Sequence, residues 1–219
     1  MRSQRERGYS MATVLGTMAK LLAVAWRPPT AGPWIEAVVS GMMARDLAAT
    51  ATALELPPAA IEACADALAT YEGADGDETM HALRREETRL FIGPDPVVEN
   101  AEGTWLQREH GVRHPIRMIN NHTKAVADFM AACGVVRKAH YNDCIDYLFN
   151  ELDFCGYLAD GGEALEQRGI DGAERLEAFA AEHLSQWVPG FCAEVEDASV
   201  EPYYRGLAVL TGAFVRALS

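Results

Sequence analysis

"CIDYLFNELDFCGYL", residues 144–158, decides the fold class. Projected as a helix at about 100° per residue, it carries two apolar stripes and a polar one. Ile145, Leu148, Phe149, Leu152 and Cys155 form the first stripe. Tyr147, Phe154 and Leu158 form the second, with Glu151 among them, and Asp146, Asn150 and Asp153 share the polar stripe. A helix that is apolar on two sides packs on both, so this segment belongs inside a helical assembly. Glu151 then stands among apolar side chains and needs a partner, because an unpaired buried carboxylate is costly. Two readings stay open: an arginine or a helix N-terminus in the core satisfies it, or it waits for a cationic ligand.

Working outward, helical periodicity recurs almost everywhere and strand alternation almost nowhere. Met11, Val14, Leu15, Met18, Leu22 and Ala25 make one stripe of a first helix. Arg2, Arg5 and Arg7 ahead of it resemble the start of an export signal. Thr13, Thr17 and Lys20 interrupt the apolar run, so an amphipathic helix is expected instead. Ile35 to about Leu54 reads as a second helix. Pro57 and Pro58 open a third, with Ile61, Cys64, Ala65, Leu68 and Tyr71 on one face. After the turn "EGADGDE", a fourth runs from Glu78 to Ile92. It stops in "EETRLFIGPDP" (86–96), where Gly93 suits a helix end and Pro94 forbids continuation.

Residues 93–104 form the longest irregular stretch, and a loop of that length in a compact chain is usually functional or a hinge. Further helices are expected from about Pro115 to Cys133, with Ile116, Ile119, Val126, Phe129 and Met130 inward, and over 143–159. A short helix near 163–168 follows, then one carrying Leu176, Phe179, Ala180, Leu184 and Trp187. The last holds Tyr203, Leu207, Leu210, Phe214 and Leu218. Val97–Val98 and Val135–Val136 are too short to build a sheet. The expectation is an all-α fold: one helical bundle of about eight or nine helices over residues 1–219. Its parts are N-terminal helices over 10–92, a hinge-like loop at 93–104 and C-terminal helices over 105–219.

The 219 residues are 49% hydrophobic and 23% charged, a globular composition. The net charge is −13, and only Lys20, Lys124 and Lys138 are lysines, which argues against nucleic-acid binding. Residues 143–201 carry 15 Asp/Glu against Arg168 and Arg175, so the whole acidic excess lies there. Such a segment is either a solvated face or an attractor for a basic partner. Cys64, Cys133, Cys144, Cys155 and Cys192 are odd in number and lack CxxC spacing, so free thiols in a reducing cytoplasm are expected. No apolar run is long enough for a stable membrane span.

Enzyme motifs are scarce. The chain has no GxSxG, P-loop or GxGxxG pattern, and "HGVRH" (110–114) lacks the glutamate of HExxH. No metal site is expected. Arg108, Arg113, Arg117, Lys124, Arg137 and Lys138 make residues 104–140 locally basic against Glu109 and Asp128. That region either touches an anionic group or balances the acidic half, and nucleotide binding stays open.

Four motifs in register resemble the TorD/DmsD family of redox-enzyme maturation chaperones. "TRLFIGP" (88–94) is similar to the family's Y-x-R-L-F-x-G-P. "EGTW" (102–105) is similar to E-S-x-Y, keeping Glu102 and an aromatic at Trp105. "DYLFNELDFCGYL" (146–158) is similar to D-H-x-x-x-E-L-x-F-(M/L)-x-x-L through Asp146, Glu151, Leu152, Phe154 and Leu158. His183, Trp187, Pro189 and Phe191 fit an H-x-x-x-W-x-P-x-F run, followed by Tyr203, Tyr204 and Leu207. Tyr147 replaces the family histidine, Gly103 the family serine, and Ile145 a frequent proline.

The resemblance implies a cytoplasmic, non-catalytic chaperone with no cofactor of its own. Its partner would be a twin-arginine signal peptide or the apo form of a molybdopterin-containing oxidoreductase, held until cofactor insertion and before export. It implies peptide or client contact at Glu102, Trp105, Asp146, Tyr147 and Glu151. Arg89, Leu90, Phe91, Gly93, Pro94, Leu152 and Phe154 would be structural, with Arg89 a candidate partner for one of the carboxylates. Helix exchange through the 93–104 loop would allow a homodimer. Two rival readings are a permanently bound assembly subunit and a small metal-dependent enzyme using the histidines of 105–122.

Overall fold

A computed structural model describes residues 4–93, 95–117, 119–136 and 144–218, without the side chains of 4–10. The helices are α1 (Gln4–Ala25), α2 (Pro33–Val39), α3 (Met42–Ala53), α4 (Pro58–Ala69), α5 (Gly76–Phe91) and α6 (Glu102–Glu109). They continue as α7 (Asn121–Ala132), α8 (Leu148–Asp160), α9 (Gly162–Glu166), α10 (Gly172–Phe179), α11 (Ser185–Ala198) and α12 (Pro202–Leu218). A π-helical turn, Ala180–Leu184, joins α10 to α11. The fold is all-α. Among the described residues the single β feature is an isolated bridge between Ala101 and Tyr147.

α12 lies at the centre because it has almost no polar face. Tyr203, Tyr204, Leu207, Leu210, Phe214 and Val215 are all buried. α4 and α11 flank it. Gly206 sets the distance to α4: a Cβ there would stand 2.6 Å from the Ala67 Cβ and 3.1 Å from the Cys64 Cα. α1 lies along α8. Met18, Leu22 and Ala25 of the first predicted stripe reach the core, but Met11 is exposed.

The helix count exceeds the expected eight or nine because several segments break. The predicted second helix is two, α2 and α3, divided at Ser40–Gly41. α6 occupies a stretch expected to be partly loop. The helix expected from Pro115 begins only at Asn121, because the Asn120 side chain accepts the His122 and Thr123 amides and caps it there. Ile116 and Ile119, expected inside, are therefore outside the helix and exposed, at 57% and 67%. The helix expected over 143–159 begins at Leu148, so Asp146 and Tyr147 precede it and belong to no helical stripe.

α5 follows its sequence closely. Asp75 accepts the Glu78 amide at 2.9 Å, Asp77 and Glu78 sit in the first turn, and Arg89 in the last. Each charge complements the helix dipole. The helix ends at Phe91, Ile92 is extended, and Gly93 turns the chain with φ 119. That backbone angle favours glycine. Pro94 lies outside the described residues.

Candidate functional site

Two motif segments are stitched together beside the end of α5. The Glu102 amide donates to the Asp146 carbonyl at 3.0 Å, and the Leu148 amide donates to the Asn100 carbonyl at 3.3 Å. Both α6 and α8 start at this seam. α6 has no cap from its own segment. The Asp146 carboxylate supplies one, taking the Gly103 amide at 2.9 Å and the Thr123 hydroxyl at 2.8 Å. Gly103, where the family pattern has serine, is crowded: a Cβ there would meet the Asn120 amide at 2.5 Å and the Thr123 hydroxyl at 2.8 Å.

Behind the seam lies a buried group of three carboxyls. Glu102, Asp146 and Glu151 expose 2%, 1% and 0% of their surface. The His183 Nδ1 stands 3.0 Å from Glu102 Oε1, and the π-helical turn carries that imidazole. The rings of Phe129 and Phe179 pack on it. The Trp187 indole N–H donates to Glu151 Oε2 at 3.0 Å, while Glu151 Oε1 has no donor. Glu102 lies close enough for its charge to act on Glu151. Burial, then the charges of Glu102 and Asp146, push Glu151 well above the ordinary carboxyl range. Burial also raises Asp146, against the pull of the Gly103 amide and the Thr123 hydroxyl. Neither partner expected for Glu151, an arginine or a helix N-terminus, is what it has.

The surface side of the seam is different. A cavity of about 240 Å³ lies between the end of α5 and the start of α8. Trp26, Phe91, Ile92, Tyr147, Phe149 and Phe191 wall it, and among the described residues Glu87 is its one charged lining residue. A second hollow of about 170 Å³ continues from it past Phe91, Ile92, Asn100 and Tyr147 to Gly93, Glu99 and Arg117. There Arg117 donates to Glu99 Oε1 at 2.8 Å and to the Gly93 carbonyl at 2.7 Å, pinning the loop after α5. A third groove, about 540 Å³, runs along α7 past Ile119, Lys124, Val135 and Ile145, again with Tyr147 in its wall. Tyr147 therefore stands where all three hollows meet.

The five residues implied as contacts thus separate into two groups. Tyr147 is half-buried and faces the hollows. Glu102, Asp146 and Glu151 lie behind them in the core. Trp105 is buried against α11, where a Cβ on Gly190 would come within 2.5 Å of its ring. Leu90, Leu152 and Phe154 are buried, and Phe91 is half-buried in the cavity wall. Arg89 does not reach any of the three carboxyls. It grips Glu86, one turn back, with two bonds of 2.8 Å, and donates to the Ala198 carbonyl at 2.7 Å.

Trp26, Glu87 and Asn100 were not visible as site residues, since they come from three unconnected segments. Ile92 and Phe149 lie inside quoted motifs; Ile92 is exposed at 54%, whereas Phe149 is buried and only its place in the cavity wall marks it. His110 and His122 stand 6.1 Å apart, ring to ring. No trio of His, Cys, Asp or Glu among the described residues is arranged to hold a metal.

No curated protein matches the chain. The model of the nitrate reductase delta subunit family matches residues 54–193. That span runs from just before α4 into α11, and contains the seam, the three carboxyls, His183, Trp187 and most of the cavity wall. The four motifs and this match agree: the chain belongs to the nitrate reductase delta subunit family of redox-enzyme maturation chaperones.

Proposed function

We propose that this protein is a cytoplasmic chaperone that holds the signal peptide, or another exposed segment, of an apo molybdopterin-containing oxidoreductase before twin-arginine export. The observation that carries the reading is the apolar cleft built by the two best motif matches. "RLFIG" gives Phe91 and Ile92 to one wall, and "DYLF" gives Tyr147, Leu148 and Phe149 to the other. Ile92, exposed at 54%, extends its apolar rim. Grooves of this kind take an apolar peptide segment by burying its side chains.

The buried carboxyls serve this site indirectly. Asp146 caps α6 and fixes the seam, Glu102 and Glu151 join α6, α8 and the π-helical turn, and Trp105 wedges α6 against α11. Together they hold Tyr147 in the cleft wall. The mechanism is binding and release, with no covalent step, and the cofactor belongs to the client.

Isothermal titration with a twin-arginine signal peptide tests this. The chain's net charge of −13 predicts binding that weakens as salt rises. Absence of binding both to such peptides and to an apo molybdoenzyme overturns the proposal. A heteromer that stays intact through purification and salt would instead favour a permanent assembly subunit.

A further inference from the structure

The cavity between α5 and α8 has a composition that the apolar cleft alone does not explain. Five of its ten lining residues are aromatic: Trp26, Phe91, Tyr147, Phe149 and Phe191. Among the described residues that line this aromatic box, Glu87 is the one carboxylate. No ion pair or hydrogen bond within the described residues engages the Glu87 carboxylate. Arg84, on the preceding turn, donates to the Pro29 carbonyl at 2.8 Å, and Arg27, which stands over the Phe149 ring at 5.7 Å, pairs with Asp153 at 3.7 Å. Burial accordingly raises the Glu87 carboxyl, with Arg84 only partly opposing the shift.

The rings are held in place from behind. The Trp26 indole donates to the Thr211 hydroxyl at 2.8 Å. Phe191 lies edge-on to Trp26 at 5.4 Å and stacked on Phe91 at 6.0 Å. Tyr147 and Phe149 are 5.6 Å apart. Ring faces attract a cation, and a carboxylate that lacks a partner gains one. Of the other carboxylates near the seam, Glu99 pairs with Arg117, and Asp146 is buried behind it and caps α6 through one oxygen.

We propose that this aromatic box is a subsite for a guanidinium or alkylammonium side chain of the bound peptide, with Glu87 as its counter-ion. The subsite rests on the reading that the cleft takes a client peptide, and it names the group that sits deepest. A basic peptide carrying apolar residues would place its cation against Glu87 and its apolar part along Ile92.

The test compares two peptides on two proteins. One peptide is a twin-arginine signal peptide; in the other both arginines are norleucine, which keeps the length and removes the charge. Wild type should bind the arginine peptide about tenfold more tightly at low salt. Glu87→Gln should abolish that preference while binding the norleucine peptide as wild type does. Lowering the pH should erase the preference in wild type as Glu87 takes up a proton, and leave Glu87→Gln unchanged. A preference that survives in Glu87→Gln, or equal binding of both peptides by wild type, overturns the subsite and leaves the cleft standing. Failure of both peptides to bind overturns the cleft itself.

Discussion

Glu86 and Glu151 are both buried glutamates in helices that carry family motifs, yet the molecule treats them in opposite ways. Glu86, on α5, is 5% exposed and fully engaged. Arg89 holds both of its oxygens at 2.8 Å, and the Val200 amide, just before α12, donates to it as well. Burial alone would raise its pKa; the Arg89 pair and the Val200 amide outweigh that and lower it. Glu151, on α8, takes one indole N–H and lies near the charges of Glu102 and Asp146, and its pKa rises. Glu86 is a charged clasp between α5 and the chain entering α12. Glu151 is a buried joint between helices that resists ionisation. The pair shows that a buried acid has no fixed meaning: its partners decide which way its pKa moves.

The largest expected effect comes from breaking the clasp. Glu86→Ala leaves Arg89 and the Val200 amide without their acceptor and should cost about 3 kcal/mol, read from urea unfolding at neutral pH. The clasp also sets a pH direction. A lowered folded-state pKa gives stability that is present above the unfolded-state value and is lost as pH falls through the folded-state value. Acid unfolding of the wild type should therefore be partly removed in Glu86→Ala, and an unchanged acid limb would contradict the clasp.

A smaller effect of opposite sign sharpens the comparison at Glu151. A raised folded-state pKa means the folded chain keeps a proton that the unfolded chain loses. Stability from this group is present below the unfolded-state value and declines as pH rises through the window up to the folded-state value. Glu151→Gln keeps the shape and an acceptor for the Trp187 indole but cannot ionise. It should flatten the stability profile between mildly acidic and alkaline pH, with a gain of about 1 kcal/mol at the alkaline end. Urea midpoints across that range check it, and a midpoint that falls uniformly at every pH would show that Glu151 is needed as an anion.

These contrasts also mark what the sequence could carry. α5, α4 and α12 were legible because their signals are local: Asp75 before α5, two prolines before α4, and an apolar stripe along α12. Burial of Glu151 was legible from its neighbours one turn away. Its partners were not, since Trp187 lies 36 residues on and is brought in by the π-helical turn. α6 was hidden for the same reason. Its cap, Asp146, is 43 residues distant, so no window around Glu102 contains a helix start signal. Asp146 and Tyr147 were placed on a helix wheel because the periodicity of 148–158 extends backward without a visible break. The pairing of Tyr147 with Ala101 stops the helix, and that contact is long-range. The Glu86–Arg89 pair was within reach, three residues apart on one helix, but the buried carboxylates of α8 offered a more attractive partner.

The separation of roles is the central claim: the aromatic cleft binds, and the carboxyls behind it support. Signal-peptide affinity measured side by side on Ile92→Asp and Glu151→Gln tests it most directly. Ile92 is 54% exposed, so aspartate there changes the cleft rim without disturbing the core. The account predicts that Ile92→Asp weakens binding by about tenfold or more and that Glu151→Gln stays within about twofold of wild type. Loss of binding in Glu151→Gln with Ile92→Asp unaffected would contradict it, and would return the ligand to the buried carboxyls.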